Sequence, residues 1–165
     1  MHIYLLRHGI AQDAGPGVTD RDRALTEEGW KRLRRAASTW RELVETPDVV
    51  LVSPLKRAQE SASVLAEACG LGGELRTESA LVPEAPPGLA INLLQAEAFS
   101  GTKSVAVVGH EPHLGYLLGL LLTGHPRQPI PLKKGMLVGV ETESAASLVA
   151  GLRFALTQKA AAQFN

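Results

Sequence analysis

Residues 3–9 read Ile-Tyr-Leu-Leu-Arg-His-Gly. The apolar run Ile3 to Leu6 is the length of a buried strand and too short for a helix of its own. It stops at Arg7 and His8, two side chains that a core rejects unless they are partnered. Two later runs repeat this pattern: Val49 to Val52 ends at Ser53-Pro54 and leads into Arg57, and Ser104 to Val108 ends at Gly109-His110.

The segments between these runs have helical spacing. Thr26 is a good N-cap, with Glu27 and Glu28 favoured by the dipole of the first turn. Trp30, Leu33, Ala36, Ala37, Trp40, Leu43 and Val44 fall on one apolar face, and Pro47 closes the element. Lys31, Arg32, Arg34 and Arg35 lie on the opposite side. They read as a solvated face rather than a nucleic-acid surface, because no aromatic platform accompanies them. Helices are expected from Leu55 to Ala68, stopped by Gly70, from Leu89 to Phe99, and with Pro112 in the first turn to Leu122. Segments 13–20, 82–88 and 124–131 read as loops, and 74–77 as a short edge strand. Residues 136–141 and 147–154 read as a closing strand pair, with a partly helical alternative over 152–162. Alternating strands and helices predict an α/β fold, a three-layer αβα sandwich, in one domain over residues 1–165.

In a parallel sheet with helical crossovers, the carboxyl ends of the strands share one edge, and ligands bind outside it. Arg7, His8, Arg57 and His110 are therefore expected to meet in one crevice. Two guanidiniums grip a phosphoryl group through paired charge-assisted hydrogen bonds and offset its charge during transfer. A neutral imidazole, with an ordinary pKa of about 6.5, is a nucleophile near pH 7 without a separate base. A second imidazole, once protonated, donates a further bond, and a helix starting at Pro112 adds backbone N–H donors. Each short motif is weak alone; their joint placement at strand ends gives them weight. His110, Glu111 and His113 also have a metal-like composition. Two arginines in the same crevice oppose a cation, so no metal is expected.

Lys and Arg number 17 and Asp and Glu 17, so no net charge favours nucleic acid or membrane. Cys69 is the only cysteine and reads as a small buried hydrophobe. The N-terminus lacks the pattern of a signal peptide, and Leu114 to Leu122 is too short to span a bilayer. A cytoplasmic protein, expected to be a monomer, is the default.

Leu-Leu-Arg-His-Gly at 5–9, Leu-Thr-x-x-Gly at 25–29, Ser-Pro-x-x-Arg-Ala at 53–58 and Val-Gly-His-Glu-Pro at 108–112 resemble the histidine phosphatase superfamily, the phosphoglycerate mutase-like proteins. The length and the segment Asp20-x-x-Arg23-x-Leu25-Thr26 look closest to its SixA-type phosphohistidine phosphatases. The resemblance implies a mostly parallel, mixed central sheet. It also implies a catalytic core of Arg7, His8, Arg57 and His110, with transient phosphorylation of His8 and no metal or other cofactor. Arg23 would contact substrate or phosphate, or form a surface salt bridge. Relatives that cleave alkyl phosphates carry a general acid. Glu84 is the candidate here, ahead of Asp20 and Glu111, with a solvated loop carboxylate as its other reading. The resemblance to SixA-type members implies no dedicated acid, and an imidazole leaving group needs little proton assistance. The short span between Arg57 and His110 implies an open crevice. The expected substrate is phosphohistidine on a phosphotransfer protein. The alternatives are a small metabolite or sugar phosphate, and a non-catalytic phosphate-binding regulatory module.

Overall fold

A computed structural model describes residues 1–71, 74–125 and 127–164. Six strands form one sheet: β1 (His2–Arg7), β2 (Val49–Val52), β3 (Glu74–Thr77), β4 (Ser104–Gly109), β5 (Leu137–Glu141) and β6 (Gly151–Leu156). Their order across the sheet is β3-β2-β4-β1-β5-β6. The pairings β3–β2, β2–β4 and β4–β1 are parallel, whereas β1–β5 and β5–β6 are antiparallel. The helices are α1 (Glu27–Leu43), α2 (Lys56–Cys69), α3 (Pro87–Phe99), α4 (His113–Thr123) and the single turn α5 (Gln158–Ala161).

The period of two along the strands divides the core in two. Ile3, Leu5, Leu51, Val105 and Val107 pack with Leu94 of α3 and with Leu114 and Leu117 of α4. Tyr4, Leu6, Val50, Val52, Ala106 and Val108 pack with Leu33 and Trp40 of α1 and with Ala58 and Leu65 of α2. The architecture is the expected three-layer α/β sandwich with a mixed, mostly parallel sheet.

The start of α1 shows why the motif Leu25-Thr26-x-x-Gly29 matters. Thr26 donates its backbone N–H to the Ile10 carbonyl at 2.9 Å. Its side-chain oxygen caps the Gly29 N–H at 3.0 Å. A Cβ on Gly29 would stand 2.1 Å from the Ile10 oxygen, which is main chain and cannot swing aside. The missing side chain lets α1 seat on the loop that follows His8.

Several sequence-based boundaries move. Helix α3 begins at Pro87, its missing N–H falling where the first turn has no partner to offer. Pro112 is the N-cap of α4 and lies outside the first turn. Leu43, assigned to the apolar face of α1, is exposed. The strand expected over 147–154 starts only at Gly151, and the helical alternative is realised at 158–161. Leu148 supplies the reason: it adopts a left-handed φ of 49° and buries its side chain, turning the chain instead of extending it. The loop read over 124–131 includes Pro126, which lies outside the described residues. Cys69 is buried as expected, and burial pushes its thiol pKa up to about 11.

Replacing Gly29 by Ala should lower stability by about 1–3 kcal/mol through overpacking, against a helix-propensity gain of roughly 1 kcal/mol. Urea unfolding of the variant measures it; an unchanged or raised midpoint would show that the contact with Ile10 is not limiting.

Candidate active site

The parallel register places the site. Arg7 pairs with Gly109 at the last step of the β1–β4 ladder. The His8 N–H extends that ladder by donating to the Gly109 carbonyl at 3.1 Å. His8 and His110 therefore leave neighbouring strands side by side, with ring centroids 5.0 Å apart and planes inclined by 52°. On the far side of β4, Ser53 ends β2, and its hydroxyl shares a 2.8 Å hydrogen bond with His110 Nε2.

The His8 ring is oriented by its own loop. Its Nδ1–H donates to the Gly9 carbonyl at 2.7 Å. A neutral imidazole with a proton on Nδ1 carries its lone pair on Nε2. The Gly9 N–H donates to Ser61 Oγ at 3.1 Å, and that hydroxyl donates to the Arg57 carbonyl at 2.7 Å. The loop after His8 is thus tied to the helix that carries Arg57.

The guanidiniums come from opposite faces of the sheet. By strand alternation Arg7 follows Ile3 and Leu5 toward the α4 side, and α2 brings Arg57 from the other. Each donates to a main-chain carbonyl at 2.6 Å, Arg7 to Leu132 and Arg57 to Asp20. Arg57 also donates to Asp20 Oδ2 at 3.0 Å. Both Nε–H groups are buried and make no hydrogen bond. Each arginine is therefore anchored on one side, and its Nε–H is desolvated and unpaired at a cost that a hydrogen-bonding partner would remove.

The electrostatics follow from burial. Desolvation pushes the His8 pKa down to about 4, with Arg57, Arg7 and Lys134 adding to the shift and the Gly9 carbonyl opposing it. His110 is driven well below 6.5, first by burial and then by His8 and Arg57. Both imidazoles are neutral near pH 7. His110 becomes the expected cationic donor only when an anion offsets burial and the neighbouring positive charge.

The remaining candidates separate. Arg23 donates to Asp20 Oδ1 at 2.8 Å and to the Gln12 carbonyl at 2.6 Å, so the salt-bridge reading describes its contacts. Hydrogen bonds to Arg23 and Arg57 outweigh desolvation and hold the Asp20 carboxyl below its ordinary range, which suits a counterion and not an acid. Glu84 is exposed in the turn before α3, with no hydrogen bond or ion pair to the four core side chains among the described residues. Glu111 accepts the Leu132 N–H at 3.1 Å. Among the described residues no group of three or more His, Cys, Asp or Glu side chains could hold a metal ion. The α4 end contributes less than expected: Pro112 has no N–H, and the Leu114 and Tyr116 N–H groups bond to His110 and Pro112 carbonyls. Sequence reading missed Lys134, the Leu132 carbonyl and Ser61. A cation two residues from Leu132 is visible as Lys133-Lys134, but nothing in the sequence returns that segment to the sheet edge.

Known proteins share this arrangement of chain. Residues 3–82 match the model of the histidine phosphatase superfamily (branch 1). The phosphohistidine phosphatase SixA of Escherichia coli is 32% identical over 124 residues, 75% of this chain and 76% of that protein. An uncharacterised protein of Picosynechococcus sp. is 31% identical over 145 residues, 88% of this chain and 87% of its own. A solved structure of the protein histidine phosphatase SixA complexed with tungstate superposes with a TM-score of 0.85 at 27% identity, covering 96% of this chain and 98% of that one. With the sheet edge arranged as above, the chain belongs to the histidine phosphatase superfamily and is a phosphatase of the histidine-nucleophile type.

Proposed function

We propose that this enzyme hydrolyses phosphohistidine on a phosphotransfer protein, with His8 as the nucleophile. The observation that carries the reading is the orientation of His8: Nδ1–H is committed to the Gly9 carbonyl, and Nε2 is left with its lone pair beside two guanidiniums. In the first step His8 Nε2 forms a bond to phosphorus while the P–N bond of a substrate protonated on its other ring nitrogen breaks, the electron pair passing to an imidazole that departs neutral. Arg7 and Arg57 offset the charge on the equatorial oxygens, and His110 contributes a further donor as the anion raises its proton affinity. Water then attacks phospho-His8, releasing orthophosphate and restoring the imidazole.

The substrate class rests on the leaving group. Asp20 is engaged with two arginines and Glu111 with the main chain, so neither is placed as a proton donor. A substrate imidazole that carries a proton on its other ring nitrogen leaves as a weak base of pKa about 6.5, whereas an alkoxide requires an acid. The similarity to SixA of Escherichia coli, a phosphohistidine phosphatase, supports the same choice. Tungstate in a related structure is a tetrahedral oxyanion of the kind this pocket would take. A cytoplasmic monomer, folded as one domain over 1–165 and working without metal, belongs to the same proposal. A small phosphate ester as substrate, with Glu84 as acid, is the rival that experiment must separate.

A panel of phosphodonors decides between them. A phosphohistidine protein should turn over far faster than alkyl phosphates, and Glu84→Ala should leave that turnover intact; the opposite ranking, with Glu84→Ala abolishing ester cleavage, would establish the rival. His8→Ala should remove turnover while retaining part of the phosphate binding. Arg57→Ala should cost about 3 kcal/mol in kcat/KM, as for loss of one oxyanion donor; a drop below about tenfold, roughly 1.4 kcal/mol, would place it outside the pocket.

The depressed His8 pKa also predicts a pH dependence of stability. The unfolded chain takes up a proton on His8 near pH 6.5, and the folded protein only near about 4. Between these values the unfolded state binds more protons, so stability falls as the pH drops from about 6.5 to about 4. Urea midpoints across this window should show a shallower slope for His8→Ala than for wild type, and equal slopes would contradict the assigned shift.

A further inference from the structure

We infer that Glu111 is a positioning residue for Arg7, acting through the main chain of the segment that returns from α4 to the sheet edge. This rests on the proposed phosphate-binding role of Arg7. Five hydrogen bonds carry it. The Ile130 N–H donates to the Gly115 carbonyl at 2.9 Å, laying the returning segment along the first turn of α4. The Leu132 N–H donates to Glu111 Oε1 at 3.1 Å. The Leu132 carbonyl accepts from Arg7 Nη1 at 2.6 Å. The Gly135 N–H then donates to the carbonyls of Arg7 and His8, at 3.0 and 3.1 Å. One peptide-bonded residue thus links the Glu111 carboxyl to the Arg7 guanidinium, and the same segment carries Lys134 toward His8.

Space has been made for this carboxyl. A Cβ on Gly115 would lie 2.7 Å from Glu111 Oε2, and the Gly115 backbone also hydrogen-bonds to the side chain. Arg7 and Glu111 interact as opposite charges, so the carboxyl both fixes the segment and offsets part of the guanidinium charge. Oε1 is committed to the Leu132 N–H, and Oε2, the oxygen that would carry an acid's proton, lies against Gly115. The structure therefore assigns Glu111 to geometry and leaves proton donation aside.

The test is a set of variants assayed with a phosphohistidine protein, an alkyl phosphate and orthophosphate as a binding probe. Glu111→Gln keeps an acceptor for the Leu132 N–H and should retain turnover within several-fold on both substrates. Glu111→Ala frees Leu132 and should lower kcat/KM by about tenfold or more, since small misplacement of a binding group costs up to about a hundredfold. It should also weaken orthophosphate binding while leaving the urea midpoint near wild type. In an Arg7→Ala background, Glu111→Ala should add little further loss, because the two act as one unit. Additive losses would overturn the relay. Loss of alkyl phosphate turnover in Glu111→Gln, with phosphohistidine spared, would instead make Glu111 an acid. Should Arg7→Ala itself be as active as wild type, the phosphate-pocket reading would fail first, and the two failures are thereby distinguished.

Discussion

The site depends on holding two guanidiniums at one sheet edge beside a neutral imidazole. Like charges repel, and burial penalises each of them. The protein meets this constraint by giving each arginine a main-chain carbonyl, Leu132 for Arg7 and Asp20 for Arg57, and a carboxylate in the same environment, Glu111 and Asp20. The carbonyls are fixed dipoles that need no reorganisation when an anion enters. The arginines, together with burial, then keep His8 unprotonated, which a nucleophilic nitrogen requires. The pocket therefore sets the protonation state of His8 first by burial and then through its cations.

The sheet makes the arrangement accurate. Parallel β1 and β4 are in register up to Arg7 and Gly109, so His8 and His110 emerge at the same level. A slip of one residue would turn every side chain of β1 to the opposite layer and send Arg7 toward α1 and α2. Arg7 would then lose Leu132 and approach the side from which Arg57 already comes. Core packing and the site are thus set by the same alternation: Ile3 and Leu5 fill one layer, Tyr4 and Leu6 the other.

Much of this was legible in the sequence, because the informative residues are side chains with no place in a core. Apolar runs ending in Arg7-His8, Ser53-Pro54 and Gly109-His110 mark three strand ends, and topology makes them converge. Three parts were hidden for distinct reasons. Leu132 contributes its carbonyl, which every residue possesses, so its identity carries no signal. Asp20 opens a single 3-10 turn and pairs with Arg23 three residues on and with Arg57 on α2, a partner that no local periodicity records. Residues 147–154 alternate convincingly, with Leu148, Ala150, Leu152 and Phe154 in step. Leu148 nevertheless spends its apolar side chain on a turn that plugs the core, and the Ala150 N–H goes to the Leu121 carbonyl on α4 rather than to a strand.

The disposition of carboxylates bears on chemistry as much as their number does. A group serves as a general acid when its proton is held near the leaving atom and its pKa lies near the working pH. Asp20 is ion-paired on both oxygens and shifted the wrong way. Glu111 has its pKa raised by burial, which alone would suit an acid, yet its oxygen is bonded to the Leu132 N–H that steadies the Arg7 anchor. Both carboxylates are thus engaged in balancing and orienting arginines. A site organised in this way uses its carboxylates to fix guanidiniums at the sheet edge, which suits charge compensation of a phosphoryl group.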